Sequence, residues 1–410
     1  MATVSQPLTI EGIMADYPNV AVSLWGFEGL QEIELGNAVT DQSGAFSISY
    51  PSSYQGMGML HFLNKGSLSL VLLPKEQLVI HGQTVQELNE LQIENSNENK
   101  AWFSFQKERK QQTAFSQEIY NQLKQDHPHL YSSQVIMLYA LLEQQQQLLK
   151  QFNESEFRSY TDKVKDQNLR NSSTWNSGLL GLLLESHFSL LKTQNKTKEY
   201  LDDIEYFLSH FRAAPQKLTA VSEFLFNYLE KYNDQSAASF LSNWMLDQEG
   251  CSLDVQLERR FEQYRVMKEG NPAPEIIFFT NENTVQRGFK TKVNRLSEIK
   301  SNYKLIVFWA SWCSYCTEEM PKLEKYYPIL KKKGIEVVSL SLDTDKNAFL
   351  LKSLPFPWYS YCDFKKWESQ AVYDYYVFST PTFYLLDQNN VILKKVKNVA
   401  HLEAFVDTYF

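Results

Sequence analysis

Two cysteines three positions apart, Cys313 and Cys316, stand in the stretch FWASWCSYCTEEMP between an apolar run and an acidic one. Thiols at this spacing can exchange electrons as a dithiol–disulfide pair, supply half of a zinc site or hold a haem. A zinc site needs a second ligand pair, and the chain has no other CxxC and no HxxxH. Haem attachment wants a histidine directly after the second cysteine, where Thr317 stands. A peroxidatic cysteine of the peroxiredoxin type would follow a Thr or Ser three residues earlier and a proline seven earlier. Ahead of Cys313 those positions hold Ala310 and Ile306, and ahead of Cys316 they hold Cys313 and Trp309. Redox exchange and two inert thiols remain, and neither calls for a metal or a cofactor.

Position favours the first. KLIVFWA reads as a buried strand and residues 317–333 as a helix, so Cys313 falls where a strand hands over to a helix N-terminus. Unpaired backbone N–H groups and the helix dipole there favour a thiolate, which makes an attacking cysteine. GIEVVSLSLD reads as a second strand and 365–376 as a second helix. TFYLLD and VILKKV read as a hairpin, and AHLEAFVDTYF as a closing helix. The result is an α/β segment with a mixed sheet over 269–410, set off by Gly270, Pro272 and Pro274.

Two other textures precede it. Residues 1–87 carry short β-branched and aromatic runs, LTIEGIM, NVAVSLWGF, AFSISY, GMLHFL, SLSLVLL and EQLVIHG, separated by turn-formers. They predict an all-β module, sandwich-like or barrel-like. Residues 88–268 are rich in Leu, Gln, Glu and Lys, with apolar residues at helical steps such as Leu138, Leu141, Leu142, Leu148, Leu149 and Phe152. They predict a helical domain broken near 126–128, 170–173 and 214–215. Tyr206, Phe207 and Phe211 read as its core. The net charge of −8 excludes a nucleic-acid partner, which would want a basic face. No run reaches the ~18 apolar residues of a membrane span. Four cysteines exclude a disulfide-stapled scaffold, and Cys251 and Cys362 read as small buried hydrophobes.

Residues 270–410 resemble the thioredoxin-like domains of the TlpA/ResA type, the thiol-disulfide oxidoreductases that face bacterial membranes. The resemblance rests on LIVFWASWCSYCTEEMPKLEKYY, GIEVVSLSLDTD and STPTFYLLD. The first two segments look, by pattern and order, like the lead module often joined to such domains. The resemblance implies that Cys313 is the nucleophile and Cys316 the resolving thiol of a redox-active disulfide. Trp312, Ser314, Tyr315, Thr380 and Pro381 would face the substrate, with Thr380-Pro381 matching the family's cis-proline segment. Pro321 matches the proline that kinks the active-site helix. Glu319 matches the acid held near the cysteines, a proton acceptor or thiol modifier, against the alternative of an ordinary first-turn glutamate.

Two departures bear on mechanism. Thioredoxin keeps a buried acid six positions before the first cysteine, where this chain has Val307; this shifts weight onto Glu319. The residue before the second cysteine is Tyr315 and not the proline usual in TlpA relatives, which leaves the direction of electron flow open. Three function classes follow: a reductase of extracytoplasmic protein disulfides, an isomerase or oxidant of secreted proteins, and a partner-binding protein whose redox domain is secondary. An isomerase would present two sites around a cleft and so dimerise; the helical pattern does not demand it. The implied partners are protein thiols and disulfides and a membrane thiol donor. The implied location is the periplasm or cell envelope, with a leader that this sequence does not include.

Overall fold

Alternating apolar and polar residues give the first strands two unlike faces. In β1 (Leu8–Met14) Ile10, Gly12 and Met14 turn inward while Glu11 and Ile13 face out. β2 (Ala21–Glu28), β3 (Gln31–Val39), β4 (Ala45–Tyr50), β5 (Gly56–Phe62), β6 (Gly66–Leu72), β7 (Leu78–Gly82) and β8 (Gln92–Glu94) follow. They form two four-stranded sheets, ordered β4-β1-β7-β8 and β3-β2-β5-β6. Phe46 of the first meets Phe62 of the second edge-on at 5.5 Å, and Tyr17 packs on the same Phe62 ring at 5.2 Å. Among the described residues no strand pairs across the two sheets, so the module is a sandwich and not a closed barrel. The computed structural model describes residues 7–111, 121–122, 125–126, 129–248, 253–279, 284–288 and 293–410. Cys251 and, of the break expected near 126–128, residues 127 and 128 lie outside them.

The helices begin with α1 (Asn97–Gln111), whose buried Asn99 does the work of a missing neighbour strand. Its side chain accepts from the Val71 N–H at 2.8 Å and donates to the Val71 carbonyl at 2.7 Å, closing the edge of β6. α2 (Tyr131–Lys150), α3 (Glu154–Lys165), α4 (Ser172–Trp175), α5 (Leu180–Thr193), α6 (Thr197–Phe211), α7 (Pro215–Lys231) and α8 (Gln235–Leu246) continue the segment. Pro215 opens α7, where its missing N–H has no partner to lose. Leu138, Leu141, Leu142 and Leu148 are buried in α2 as their spacing predicts, as are Phe207 and Phe211 in α6, whereas Leu149 and Phe152 are exposed.

The chain divides into two units, one running to Ala237 and another made of Ala238–Gln248 and Leu253–Phe410. The second takes in α9 (Val255–Val266), whose Gln263 amide donates to the Tyr376 carbonyl at 2.7 Å. Its six-stranded mixed sheet is ordered β14-β13-β10-β11-β12-β9. These strands are β9 (Val285–Arg287), β10 (Tyr303–Trp309), β11 (Ile335–Ser341), β12 (Tyr359–Cys362), β13 (Thr382–Asp387) and β14 (Ile392–Val396). β10, β11 and β12 are parallel and the remaining neighbours antiparallel. All seven residues of β11 are buried, as expected of a strand covered on both faces.

The covering helices are α10 (Ser314–Lys332), α11 (Lys346–Ser353), α12 (Gln370–Asp374) and α13 (Val399–Tyr409). Odd residues of β10 (Leu305, Val307, Trp309) pack with Met320 and Leu323 of α10 and Leu402 and Val406 of α13. Even ones (Ile306, Phe308) pack with Tyr375 and Val372 on the opposite face. This two-sided burial fixes where β10 ends and therefore where the turn into α10 sits. Gly334, with φ of +76°, closes the far end of α10 and returns the chain to β11.

Candidate active site

The turn after β10 places the first thiol. Cys313 is the N-cap of α10, in extended backbone, and its sulfur accepts from the Cys316 N–H at 3.2 Å. A side chain that caps a helix this way satisfies one of the four orphan N–H groups of the first turn. Here the acceptor is sulfur, and the same Cys313 thiol donates to the Thr380 carbonyl at 3.2 Å. The Thr380–Pro381 bond is cis. Cys313 is half-buried, whereas Cys316 is sealed within the core cluster that holds Val307 and Trp309. Both thiols are free.

These surroundings split the two thiols. Burial pushes Cys313 up, but hydrogen bonding with Cys316 and Thr380 and the N–H groups of Cys316 and Tyr315 outweigh it, so its pKa lies below that of an ordinary cysteine. Burial pushes Cys316 up to about 12, helped by its hydrogen bond with Cys313 and the Cys313 charge. Of the two sulfurs, Cys313 is the more readily ionised and the more accessible, and Cys316 holds its proton behind it.

Around the pair, Trp312, Ser314 and Tyr315 are exposed, while Thr380 and Pro381 are half-buried. Glu319 lies one turn beyond Cys316 on the same face of α10 and is buried. Its Oε1 accepts from Lys322 Nζ at 2.6 Å and its Oε2 from the Val399 N–H at 2.7 Å, at the start of α13. It is therefore not a solvated first-turn glutamate; it ties α10 to α13. Pro321 sits inside α10, where its missing N–H removes one rung of the helix.

Three residues that sequence reasoning passed over also converge here. Trp367 meets Trp312 edge-on at 6.4 Å, and Lys366 Nζ lies 5.1 Å from the Trp312 ring centre. Asp343, buried two residues past β11, accepts from the Ser311 hydroxyl at 2.6 Å, just ahead of Trp312. Their signal was weak: Lys366 and Trp367 fall inside the helix expected over 365–376, and Asp343 stands at the end of the expected strand GIEVVSLSLD, with no motif around it. That helix is shorter than expected. Phe364 and Lys366 take left-handed backbone, with φ of 58° and 55°, and after a 3-10 turn over Lys366–Glu368 the α-helix begins only at Gln370. Among the described residues no group of three or more His, Cys, Asp or Glu side chains is placed to hold a metal.

A mixed sheet covered on both faces, with its central strand running into a thiol-capped helix, puts the second unit in the thioredoxin-like class, and the protein is a thiol-disulfide oxidoreductase whose second unit is similar to ResA. Residues 269–395 match the AhpC/TSA family. The thiol-disulfide oxidoreductase ResA of Bacillus cereus is 29% identical over 141 residues, covering 33% of this chain and 74% of that protein. ResA of Geobacillus kaustophilus is 29% identical over 136 residues, covering 32% and 71%. Among solved structures, a domain of a possible thiol-disulfide isomerase from Cytophaga hutchinsonii is 24% identical and covers 34% of this chain and 92% of its own, with a TM-score of 0.29. A thioredoxin-like protein from Bacteroides caccae is 15% identical and covers 63% and 92%, with a TM-score of 0.43.

Proposed function

We propose that Cys313 and Cys316 form the redox pair of a reductase acting on protein disulfides outside the cytoplasm. The observation that carries this reading is the asymmetry of the thiols: a half-exposed sulfur at a helix N-terminus, and a sealed one three residues behind it. The Cys313 thiolate attacks one sulfur of a substrate disulfide, that S–S bond breaks, and the leaving sulfur takes up a proton as a thiol. Cys313 is then neutral, so two of the influences that hold the Cys316 proton, its hydrogen bond to Cys313 and the Cys313 charge, are removed. Cys316 gives up its proton, with Glu319 as acceptor, and attacks Cys313. The substrate's second sulfur leaves, and two electrons have passed to the substrate while Cys313–Cys316 becomes a disulfide.

Exposed Trp312 and Tyr315, with Lys366 and Trp367 beside them, form the surface that receives the substrate chain, and the Thr380 backbone pairs with it. The location is the periplasm or cell envelope. There no soluble buffer re-reduces the pair, so a membrane thiol donor restores it. Residues 1–268 serve as a lead module to the redox domain of 269–410, with a β-rich segment over 1–87 and a helical one over 88–268, although β8 pairs into the first segment's sheet and α9 belongs to the second unit.

Tyr315 favours a second reading, an isomerase or oxidant, because it stands where a proline would pre-shape the first helical turn. The reduction potential against glutathione decides between them. A value near about −270 mV or lower supports the reductase, and one near about −120 mV makes the protein an oxidant.

A further inference from the structure

We infer that Asp343 is a positioning residue for the nucleophile: its buried carboxylate ties the turn that carries Cys313 to the end of the neighbouring strand. This rests on the proposed role of Cys313. Asp343 is 1% exposed and lies two residues past β11, outside the motif that holds the cysteines. Three donors converge on it. The Ser311 N–H lies 3.2 Å from each carboxylate oxygen, the Ser311 hydroxyl donates to Oδ1 at 2.6 Å, and the Ser341 hydroxyl donates to Oδ2 at 2.6 Å.

The turn is otherwise thinly held. Leu342 N–H donates to the Trp309 carbonyl at 2.8 Å, which fixes the last residue of β10, and Cys313 N–H donates to the Ala310 carbonyl at 3.3 Å. Between those anchors, Ser311 is the residue whose backbone and side chain are both gripped by a group from outside the turn, just past β11. Charge-assisted hydrogen bonds of this kind are the stronger ones, and a carboxylate buried to this degree is retained only where its donors are in place. Two residues further on, Cys313 must keep its sulfur within reach of the Cys316 N–H and the Thr380 carbonyl, each at 3.2 Å. Hydrogen bonds weaken steeply with misalignment, so a turn released from Asp343 gives up part of what favours the thiolate.

The sign of the effect separates positioning from charge. Removing a negative carboxylate would by Coulomb's law alone favour a nearby thiolate and lower the Cys313 titration. Loss of positioning does the reverse.

The test is the pH dependence of iodoacetamide alkylation at Cys313 in the full chain, with Asp343→Asn and Ser311→Ala beside the wild type. Ser311→Ala removes only the hydroxyl bond from a half-buried residue and guards against a failure of Asp343→Asn to fold. The expected result is a Cys313 midpoint about one pH unit higher in Asp343→Asn, which lowers the thiolate fraction about tenfold at pH values below the wild-type midpoint. Ser311→Ala should move it the same way by less. Asp343→Glu, which keeps the carboxylate, should recover part of the loss. Unchanged midpoints with only a lower melting temperature would reduce Asp343 to a structural clasp, and a lower midpoint would make it a charge effect; either overturns the inference. A wild-type Cys313 that titrates like a free thiol would instead sink the proposed function and leave the position of Asp343 to be judged by stability.

Discussion

Two helix N-termini in this protein meet the same problem with different atoms. At the start of α2, Leu130 offers no capping side chain, and Glu98 from α1 supplies the acceptor. Its two oxygens take the Tyr131 and Ser132 N–H groups, each at 2.9 Å, and Oε2 also takes the Ser132 hydroxyl at 2.9 Å. At the start of α10 a buried carboxylate is also present, but Asp343 grips Ser311, two residues before the cap, and leaves the first turn of the helix to sulfur. A helix end filled by a carboxylate is finished and inert. One whose N–H groups face a thiol stabilises a thiolate and stays open to an electrophile. Chemistry is separated from stability by which atom occupies the cap.

The largest expected effect lies at the open end. Cys313→Ser should reduce disulfide turnover, measured with insulin as substrate, to background, because a hydroxyl in the same cap is not ionised near neutral pH. Cys316→Ser should also stop turnover, while accumulating a mixed disulfide that non-reducing gels detect. The wild-type alkylation rate should rise with pH through a midpoint below the ordinary cysteine value, since hydrogen bonding at Cys313 outweighs its burial. A midpoint at or above that value breaks the comparison, for then the sulfur-capped end is no more reactive than a free thiol.

The closed end predicts the converse. Glu98→Ala leaves two buried N–H groups and a hydroxyl without an acceptor, and should destabilise the first unit by about 2–4 kcal/mol. Urea unfolding measures this, and the alkylation rate of Cys313 should not change. A fall in thiol reactivity from this substitution would show that the two ends are not independent.

The cysteine pair and the strand leading into it were legible in the sequence because their spacing is local and fixed by the turn that uses them, whereas the Thr380-Pro381 segment was legible only through its resemblance to the family's cis-proline segment. Asp343 was not, because it reaches Ser311 only through the parallel pairing of β10 and β11, where Trp309 stands opposite Ser341. α11 also escaped notice: Leu351 and Leu354, beside its buried Phe349, are exposed, which blurs the apolar stripe. β3 is an edge strand with no fully buried residue, so its alternation is faint. In each case the missing information was tertiary: which neighbour would cover a residue.

Glu319 sharpens the contrast at intermediate size. Its carboxylate braces α13 through Val399, as Glu98 braces α2, yet it sits one turn from Cys316. Glu319→Gln should keep the first step, attack of Cys313 on the substrate disulfide, and slow the second, resolving step about ten- to a hundredfold, in the range of a lost general base. Rapid-quench measurement of the mixed disulfide reads the two steps separately. If only thermal stability falls, Glu319 belongs with Glu98 as a brace and the proton from Cys316 leaves by another route.

The smallest effect is expected at Cys362, the last residue of β12. It is wholly buried, and its thiol donates to the carbonyls of Ser341 at 3.4 Å and Asp343 at 3.5 Å. Burial, with the charges of Asp343 and Asp363, pushes its pKa up to about 12. A thiol that is neither ionised nor reachable cannot attack a disulfide, although it lies in the same core cluster as Cys316. Serine can make the same donations from the same rotamer, so Cys362→Ser should cost about 1 kcal/mol or less and leave turnover within about twofold of wild type. Alkylation of the reduced native protein should accordingly label Cys313 fast and Cys362 only on unfolding. Loss of turnover in Cys362→Ser with the native circular dichroism spectrum intact would mean that electrons pass from the Cys313–Cys316 pair to a third thiol. Burial would then not be what separates reactive sulfur from inert sulfur in this fold.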